Sequence, residues 1–375
     1  MKNKHVHIVA FDVPFPADYG GAYAIFYKIK ALYEKGIKIH LHCFEYGRGQ
    51  QKALELYCAS VSYYERAEGP KGFSFTLPYI VASRNNPTLW ERLQKDNYPI
   101  ILEGIHCTYG LYADLLKNRK VILYLHNVEF DYYKQLSQWE RSLVKKTYLH
   151  HESRLLERYE RQIANRCMIV SLSDKDRHKY KTKFGATNII HIPVFVDSNK
   201  NSSNTGKGNY ALYHGNLSVA ENEKAAFWLL EKIFNDMDIP LVIAGKDPST
   251  RLMKLCHKRP TTCIIANPDE HEMNDLISKA HLHILPSYTD SGIKLKLINA
   301  LFKGRHVIVN EAMVSGTKLE KACHIADSAT LMKYQIYRLF QIAFTEEDSK
   351  KRKEILDGVF DQEWQTQTLI SLLFE

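Results

Sequence analysis

The sequence predicts an α/β protein in which two doubly wound parallel sheets form separate domains. Its 375 residues exceed one ordinary domain, so two domains of roughly 150 to 200 residues are expected. Residues 284–310 have the pattern strand, tight turn, helix and strand, which is typical of the crossover of a parallel sheet. Residues 5–44 repeat this pattern, so both halves of the chain predict the same kind of unit.

Composition favours a globular protein in a reducing compartment. Hydrophobic residues make up 45% of the chain and charged residues 25%. No segment approaches the ~18 uninterrupted apolar residues that a membrane helix requires, and none precedes Pro14 as a signal sequence would. The seven cysteines contain no CxxC spacing, which indicates reduced thiols. We therefore expect a soluble, cytoplasmic protein.

The positive charge is concentrated in one part of the chain. Residues 134–183 contain 13 Lys or Arg against 6 Asp or Glu, a difference of +7 within a net charge of +9. Such a block is compatible with peripheral contact to an anionic membrane, and the alternative is a solvated helix face. The chain has no zinc-finger, RNP or KH pattern, so we expect no nucleic-acid partner.

The N-terminal half opens with an apolar strand over residues 5–11. A proline-rich turn leads to Gly20 and Gly21, and apolar residues then recur at helical spacing from 22 to 34. Strand, glycine turn and helix leave backbone amides available to an anion, so both glycines are candidate phosphate contacts. The pattern is not GxGxxG, and a dinucleotide site is therefore not supported.

Two later strands of this half end in polar residues. Residues 99–105 predict a buried strand that ends on Glu103, Gly104 and His106. Residues 121–125 predict the next strand, which ends on His126. Parallel strands bring these ends to one edge of the sheet, and imidazole titrates where group transfer needs it. The alternative is that each histidine packs or caps a strand end. Residues 46–98 are less regular and rich in tyrosine.

The segment 284–310 carries the polar chemistry of the C-terminal half. Asp290, Ser291 and Gly292 are typical of a helix start that leaves its first amides free. Lys294 and Lys296 add positive charge, so the segment predicts an anion site that suits a diphosphate. The alternative is that the two lysines are solvated helix residues.

Other glycines help to delimit this half. Gly304 lies where a helix C-terminus usually turns left-handed, and Gly215 and Gly245 end strands. A helix is predicted to begin near Ser315, so that the amides of Gly316 and Thr317 join the phosphate pocket.

The chain contains no convincing metal motif. Asp174 and Asp176 reproduce a DxD, but Ser173 three residues before Asp176 indicates a helix cap instead. Histidine pairs on the predicted strands have no third ligand. We therefore predict no metal.

Motifs at residues 14–21, 123–129, 211–216 and 290–317 resemble one family. SGIKLKLINALFKGRHVIV is similar to the donor-site segment of GT-B glycosyltransferases of the family-4 type, the glycosyl transferases of group 1. YLHNVEFDYY resembles their HNxE segment, and residues 14–21 resemble their N-terminal glycine loop. The resemblance implies two Rossmann-like domains that face each other across a cleft. The predicted bounds are 1–191 for the acceptor-side domain, 192–209 for a Ser/Asn/Gly-rich linker, 210–350 for the nucleotide-sugar domain, and 351–375 for a helix that crosses back, anchored by Trp364.

The resemblance also implies an activity: a retaining, metal-independent hexosyltransferase that takes a nucleoside-diphosphate sugar and no cofactor. The acceptor would be a glycan, either cell-surface polysaccharide or lipid-linked at the inner membrane face. The predicted catalytic residues are His126, supported by Glu103 and His106. The predicted donor-binding residues are Gly20, Gly21, Gly215, Asn216, Gly245, Ser291, Gly292, Lys294, Lys296, Asn299, Gly316 and Thr317.

Three positions depart from the family pattern. Asn299 replaces the usual ribose-binding glutamate, Ser291 replaces a glutamate near the donor sugar, and Glu221 stands where a basic phosphate ligand is common. An amide still hydrogen-bonds a ribose hydroxyl, but without the strength of a charged acceptor. Two alternatives therefore stay open, a nucleotide-sugar 2-epimerase-like enzyme and a non-catalytic nucleotide-sugar-binding protein.

Overall fold

The computed structural model describes residues 4–140, 142–197, 203–289, 292 and 294–375. These residues form two compact units. The first contains the chain up to Asp197 together with Phe360–Glu375, and the second contains residues 203–289 and 294–359.

Within its described residues, the first unit holds a seven-stranded sheet in the order β3-β2-β1-β4-β5-β6-β7. All of its strand pairs are parallel. The strands are β1 His5–Ala10, β2 Lys38–Glu45, β3 Ser60–Glu65, β4 Ile100–Glu103, β5 Val121–Leu125, β6 Met168–Ser171 and β7 Ile189–His191. The central strands β4 and β5 are buried at every position, as expected for a parallel sheet covered on both faces.

The second unit holds, among its described residues, a six-stranded parallel sheet in the order β10-β9-β8-β11-β12-β13. Its strands are β8 Ala211–Asn216, β9 Leu241–Lys246, β10 Thr262–Ala266, β11 Leu282–Leu285, β12 His306–Val309 and β13 His324–Ile325. In both sheets the strand order reverses next to the first strand, and ligands of open α/β sheets bind at such points.

Helices connect the strands. They are α1 Gly20–Glu34, α2 Tyr79–Ala82, α3 Pro87–Leu93, α4 Tyr109–Tyr112, α5 Glu129–Trp139, α6 Leu143–Ile163, α7 Asp174–Phe184, α8 Ala220–Trp228, α9 Thr250–His257, α10 Glu270–Lys279, α11 Leu295–Lys303, α12 Glu311–Val314, α13 Ala329–Gln341, α14 Glu346–Val359 and α15 Gln362–Phe374. No helix in the part of the chain that the structure describes is long and apolar enough to cross a membrane. All seven cysteines are free thiols.

The last helix, α15, packs within the first unit. Gln365 donates to the carbonyl of Pro193 at 3.4 Å, and Glu363 pairs with Lys35 at the end of α1. The expectation that Trp364 anchors this helix is wrong, because its side chain is 50% exposed. Leu369, Ile370 and Leu373 are the buried anchors.

Gly304 is not left-handed, which corrects the prediction of a left-handed helix end. Its backbone is extended, with φ −92° and ψ 178°. The residue is glycine for a different reason: a Cβ at this position would overlap the imidazole of His283. Its carbonyl also accepts from Arg352 at 2.8 Å. Position 304 therefore requires glycine because of its contact with His283 of β11.

The predicted helix start near Ser315 is also wrong. The short helix α12 ends at Val314, and the amide of Thr317 donates back to the carbonyl of Val314 at 3.0 Å. That amide closes a turn and is not available to a phosphate. Gly316 permits the turn, since its φ of 75° lies in the left-handed region.

Candidate functional site

The polar ends of β4 and β5 meet in the first unit, as their spacing predicts. Glu103, the last residue of β4, pairs in register with Tyr124 of β5. His126 follows β5, and its Nε2 atom lies 2.8 Å from Oε2 of Glu103. Both side chains are buried, so the carboxylate and the imidazole form a dyad shielded from solvent.

The second carboxylate oxygen of Glu103 is also paired. Its Oε1 atom lies 2.6 Å from the Nζ atom of Lys28, which projects from α1 and is fully buried. Burial alone would raise the pKa of Glu103, but Lys28 and His126 together hold it below its usual value. Burial lowers the pKa of His126, and Glu103 opposes that shift only in part. The dyad is therefore an ionised carboxylate beside a neutral imidazole near pH 7.

Phe11, just after β1, connects this dyad to the glycine turn. Its ring lies 5.2 Å from the His126 ring in an edge-on contact and 4.8 Å from the stacked His106 ring. A Cβ on Gly21 would approach the Phe11 ring at 2.6 Å, so this position requires glycine. The structure thus brings Gly21, His106 and His126 around one aromatic side chain.

Gly20 and Gly21 are the first two residues of α1, whose first amides have no carbonyl partner within the helix. His106 lies in a short 3-10 turn, and its buried Nδ1 atom has no hydrogen-bond partner among the described residues. Burial and the nearby Arg84 guanidinium lower its pKa well below the usual value. His106 is therefore a neutral ring that packs beside the dyad.

The second unit carries a cationic cluster where β11 passes into α11. The helix begins at Leu295, with Lys294 as its N-cap residue. The ammonium of Lys294 donates to the carbonyl of Thr289 at 2.8 Å, to its hydroxyl at 3.1 Å and to the Ser287 hydroxyl at 3.2 Å. This lysine thus lies over the loop that follows β11, and it is not a solvated helix residue.

Glu221, in the first turn of α8, binds the same loop. Its carboxylate accepts from the amides of Tyr288 and Thr289 at 2.8 and 3.0 Å, and from the hydroxyls of Ser287 and Thr289 at 2.7 and 2.9 Å. Burial would raise its pKa, but Lys294 and these hydrogen bonds lower the pKa of Glu221 to about 2. An internal anion therefore occupies amides that would suit a phosphate.

Lys296 is held by different residues. Its ammonium donates to the Asn222 side-chain oxygen at 2.8 Å and lies 5.3 Å from the centroid of the Tyr213 ring. Burial lowers the pKa of Lys296 to about 8, Glu221 opposes the shift, and Lys294 adds to it. Asn299 follows one turn later on α11 and is partly exposed. Lys296 and Asn299 thus lie on neighbouring turns of one helix.

The other predicted donor-binding residues lie around this loop or at strand ends. Gly215 and Gly245 pair in register between β8 and β9, and a Cβ on Gly245 would overlap the Gly215 carbonyl. Asn216 accepts from the amide and hydroxyl of Ser218 at 3.0 and 2.7 Å. Gly292 has a left-handed backbone with φ 74°. Ser291 lies outside the described residues.

Two residues of the candidate sites were not predicted from the sequence. Asn310, after β12, accepts from the Ser287 amide at 2.9 Å and donates to its carbonyl at 2.7 Å, which fixes the loop after β11. The sequence does not predict a role for Lys28, because the helical spacing shows only that a polar residue lies on an apolar helix face. Among the described residues no cluster of three His, Cys, Asp or Glu is arranged to hold a metal ion.

One family model matches the C-terminal part of the chain. Residues 208–339 match the family model for glycosyl transferases group 1, and this range includes Glu221, Lys294 and Lys296. This part of the chain belongs to the glycosyl transferases of group 1. The resemblance noted in the sequence is thereby confirmed.

Solved structures of this glycosyltransferase fold cover essentially the whole chain. A sucrose-phosphate synthase from Thermosynechococcus elongatus superposes with a TM-score of 0.73, at 15% identity over 99% of this chain and 98% of that one. Anabaena HepE, solved with UDP and glucose, gives 0.67 at 12% identity over 99% of both chains. At such low identity these matches show the fold alone, and they confirm GT-B.

One relative of this glycosyltransferase is known by its genetic context. It is a 44.6 kDa protein of the Klebsiella pneumoniae cps region, described as uncharacterized. The two are 26% identical over 328 residues, which cover 83% of this chain and 84% of the relative.

Proposed function

We propose that this group 1 glycosyltransferase is a retaining, metal-independent hexosyltransferase that moves a sugar from a nucleoside-diphosphate sugar to a glycan acceptor. The observation that carries the proposal is the pair of lysines at the start of α11, beside the loop after β11. Retention and metal independence rest on the family resemblance. The nucleoside-diphosphate sugar is a substrate, so no cofactor is required.

The chemistry requires stabilisation of a leaving anion. When the bond between the anomeric carbon and the diphosphate breaks, an acceptor hydroxyl oxygen takes the place of the diphosphate and passes its proton to the departing phosphate oxygen, on which negative charge develops. Lys294, Lys296 and the free amides of α11 supply preorganised positive charge for that anion. His126 is the proposed catalytic group, and it orients the donor sugar.

The acceptor is proposed to be a cell-surface or lipid-linked glycan. The Klebsiella relative lies in a cps region, and this context supports a role in polysaccharide synthesis. The N-terminal residues 1–191 are the proposed acceptor side, with 46–98 as the first place to look for acceptor contacts. The residues from 210 onward are the proposed donor side.

A panel of UDP-, GDP-, ADP- and dTDP-sugars tests the donor. A ligand that binds only the folded state raises the melting temperature, so the matching donor stands out from the other three. Release of nucleoside diphosphate from that donor, with acceptor glycan and excess EDTA present, then tests metal-independent transfer. A requirement for a divalent metal, or no shift with any donor, would contradict the proposal.

Two observations favour a second candidate, a non-catalytic nucleotide-sugar-binding protein. Glu221 places a carboxylate beside Lys294, and Asn299 offers the ribose no charge. Such a protein would show a thermal shift but no turnover with any acceptor. An epimerase-like enzyme differs from both, because it would convert the donor in the absence of an acceptor. NMR of the sugar after incubation with donor alone identifies the epimerase, and the same measurement with acceptor added separates the transferase from the non-catalytic protein.

We also propose that the enzyme works at the cytoplasmic face of an anionic membrane. At the start of α6, Leu143 and Val144 are 79% and 80% exposed and precede the exposed Lys145 and Lys146. Three acidic residues of the basic block, Glu152, Glu160 and Asp176, are buried, so the exposed face is more basic than the composition indicates.

A second apolar element lies in the same unit. The amide of Tyr79 donates to Glu152 of α6 at 2.8 Å, which ties the loop before α2 to that helix. In that loop Phe73 and Phe75 contact each other at 5.0 Å, and Phe75 is 83% exposed. Exposed apolar side chains flanked by lysines fit an anionic bilayer surface.

Vesicle flotation tests this contact. We expect binding to vesicles with phosphatidylglycerol and little binding to pure phosphatidylcholine. The double substitution Leu143→Asp and Val144→Asp should abolish binding, whereas Leu56→Asp, at a site 70% exposed in the same unit, should not. Equal vesicle binding by the wild type and the double variant would exclude α6 as the membrane contact.

A further inference from the structure

Lys28 is a buried charge on a helix face that is otherwise apolar. It lies in the middle of α1 between Ile25 and Ile29, and all three side chains are fully buried. Its Nζ atom lies 2.6 Å from Glu103 and 3.1 Å above the centroid of the Tyr124 ring. Burying an ammonium without a partner is costly, and Glu103 offsets that cost. An apolar residue would fill this position more simply.

We propose that Lys28 is a positioning residue, which keeps Glu103 ionised so that the carboxylate fixes the tautomer and orientation of His126. The proposal rests on the proposed function in one respect, the assignment of His126 as the catalytic group. Lys28 itself touches neither the imidazole nor any substrate in this scheme.

The tautomer follows from hydrogen-bond chemistry. An ionised carboxylate is only an acceptor, so the Nε2 atom of His126 must carry the proton that lies toward Glu103. The Nδ1 atom then keeps its lone pair. Among the residues that the structure describes, this buried Nδ1 atom has no hydrogen-bond partner. It is thus left to accept a hydrogen bond from a hydroxyl of the substrate.

Without Lys28 the dyad would behave differently. A carboxyl group buried without a countercharge is stable only when protonated. A protonated Glu103 would donate to Nε2, and the imidazole proton would move to Nδ1. The Nδ1 atom would then be a hydrogen-bond donor in place of an acceptor. A substrate hydroxyl would have to accept a hydrogen bond there, where the wild-type imidazole requires it to donate one.

Few other charged groups act on this dyad. Lys28 comes from α1, Glu103 from β4 and Tyr124 from β5, and His106 lies beside His126 across the Phe11 ring. Arg84 and Arg66 act on His106. Lys28 is the cation that pairs directly with Glu103, so its removal changes the charge of the dyad selectively.

Nitrogen-15 NMR of histidine-labelled protein reads the tautomer directly. We expect wild-type His126, assigned by loss of its signals in His126→Gln, to be the Nε2–H form at pH 7. In Lys28→Met we expect the Nδ1–H form. A wild-type Nδ1–H form, or an unchanged tautomer in Lys28→Met, would overturn the proposal. The wild-type measurement stands even if the variant does not fold.

Kinetics provide the second readout. Lys28→Met should lower kcat by roughly 10- to 100-fold with the donor KM little changed, since a wrong tautomer impairs turnover without removing a binding group. Its activity should recover as the pH rises and Glu103 ionises. Lys35→Met, which removes a partly exposed lysine that caps the end of the same helix and pairs with Glu363, is the matched control. A pH profile identical to wild type would overturn the proposal. If the wild type transfers no sugar, the proposed function fails, while the NMR comparison still decides the role of Lys28.

Discussion

Glu221 and Thr289 are joined by two hydrogen bonds: one carboxylate oxygen accepts from the Thr289 amide at 3.0 Å, and the other from its hydroxyl at 2.9 Å. Lys294 binds the carbonyl of the same threonine at 2.8 Å. The loop after β11 is thus held by a carboxylate and an ammonium that bind the same threonine. A phosphate that approaches these lysines encounters the negative charge of Glu221 as well.

Glu221→Gln should therefore strengthen the binding of a nucleoside diphosphate. The amide keeps an acceptor oxygen for the loop but removes a charge of the same sign as the ligand. Binding should gain about 1 kcal/mol, which lowers Kd roughly fivefold. Calorimetry with UDP, or with the diphosphate of the matching donor, measures the effect. Glu223→Gln in the same turn of α8 is the control and should leave Kd unchanged. Weaker binding by Glu221→Gln would show that Glu221 supports the ligand.

Lys296→Ala should weaken binding of the same nucleoside diphosphate. A charged hydrogen bond contributes about 1.5–3 kcal/mol, so Kd should rise at least tenfold. Lys303→Ala, in the last turn of the same helix, removes an equal charge from the other end and should have little effect. Unchanged calorimetric affinity in Lys296→Ala would remove this residue from the donor site.

The pH dependence of binding gives an independent check on Lys296. Because burial lowers its pKa to about 8, the ammonium loses its proton as the pH rises past that value. The affinity of the wild type for the nucleoside diphosphate should fall between pH 7 and pH 9. In Lys296→Ala the affinity should depend less on pH over this range. An equal slope in both proteins would assign the titration to another group.

His126→Ala should retain nucleotide binding and lose turnover. The imidazole lies in the first unit, bonded to Glu103, whereas the proposed phosphate ligands lie at the start of α11. We expect kcat to fall by at least ~100-fold, the lower range for a group that transfers or orients a proton. His178→Ala, at an exposed site on α7, is the control. Equal turnover in both proteins would exclude His126 from the mechanism.

The sheets were predictable from the sequence because their determinants are local. Strands such as Val121–Leu125 and His306–Val309 are continuous apolar or β-branched runs, and the structure places both as predicted. The strand Ser60–Glu65 was missed because it alternates small, aromatic and charged residues at the edge of the sheet. Local patterning specifies a buried central strand better than an edge strand.

The missed features depend on contacts between distant residues. Gly304 must be glycine because His283 leaves no room for a Cβ. Lys28 and Glu103 are separated by 75 positions, and Glu221 binds a loop 66 to 68 positions later. Such pairs form only after the strands are placed side by side. The residue types at the site were therefore predictable, whereas their partners were not.

A buried histidine pair predicts that acid destabilises the first unit. His42 of β2 lies 2.9 Å from His7 of β1 and 2.8 Å from the Tyr64 hydroxyl. Burial, followed by the charges of His7, His40 and Arg92, lowers the pKa of His42 to about 3. The unfolded chain, with a histidine pKa of about 6.5, thus binds a proton at pH 5 that the folded chain does not.

The titration of His42 therefore leaves the free energy of unfolding unchanged above pH 6.5, and it lowers that free energy as the pH falls from 6.5 toward 3. Between pH 7 and pH 5 this one residue should lower the free energy of unfolding by up to about 2 kcal/mol. Urea titrations at the two pH values measure the loss. In His42→Gln the loss should shrink by that amount, and in His178→Gln, which alters an exposed histidine of α7, it should not. An equal acid sensitivity in His42→Gln and wild type would mean that His42 is already protonated in the fold, against the burial that surrounds it.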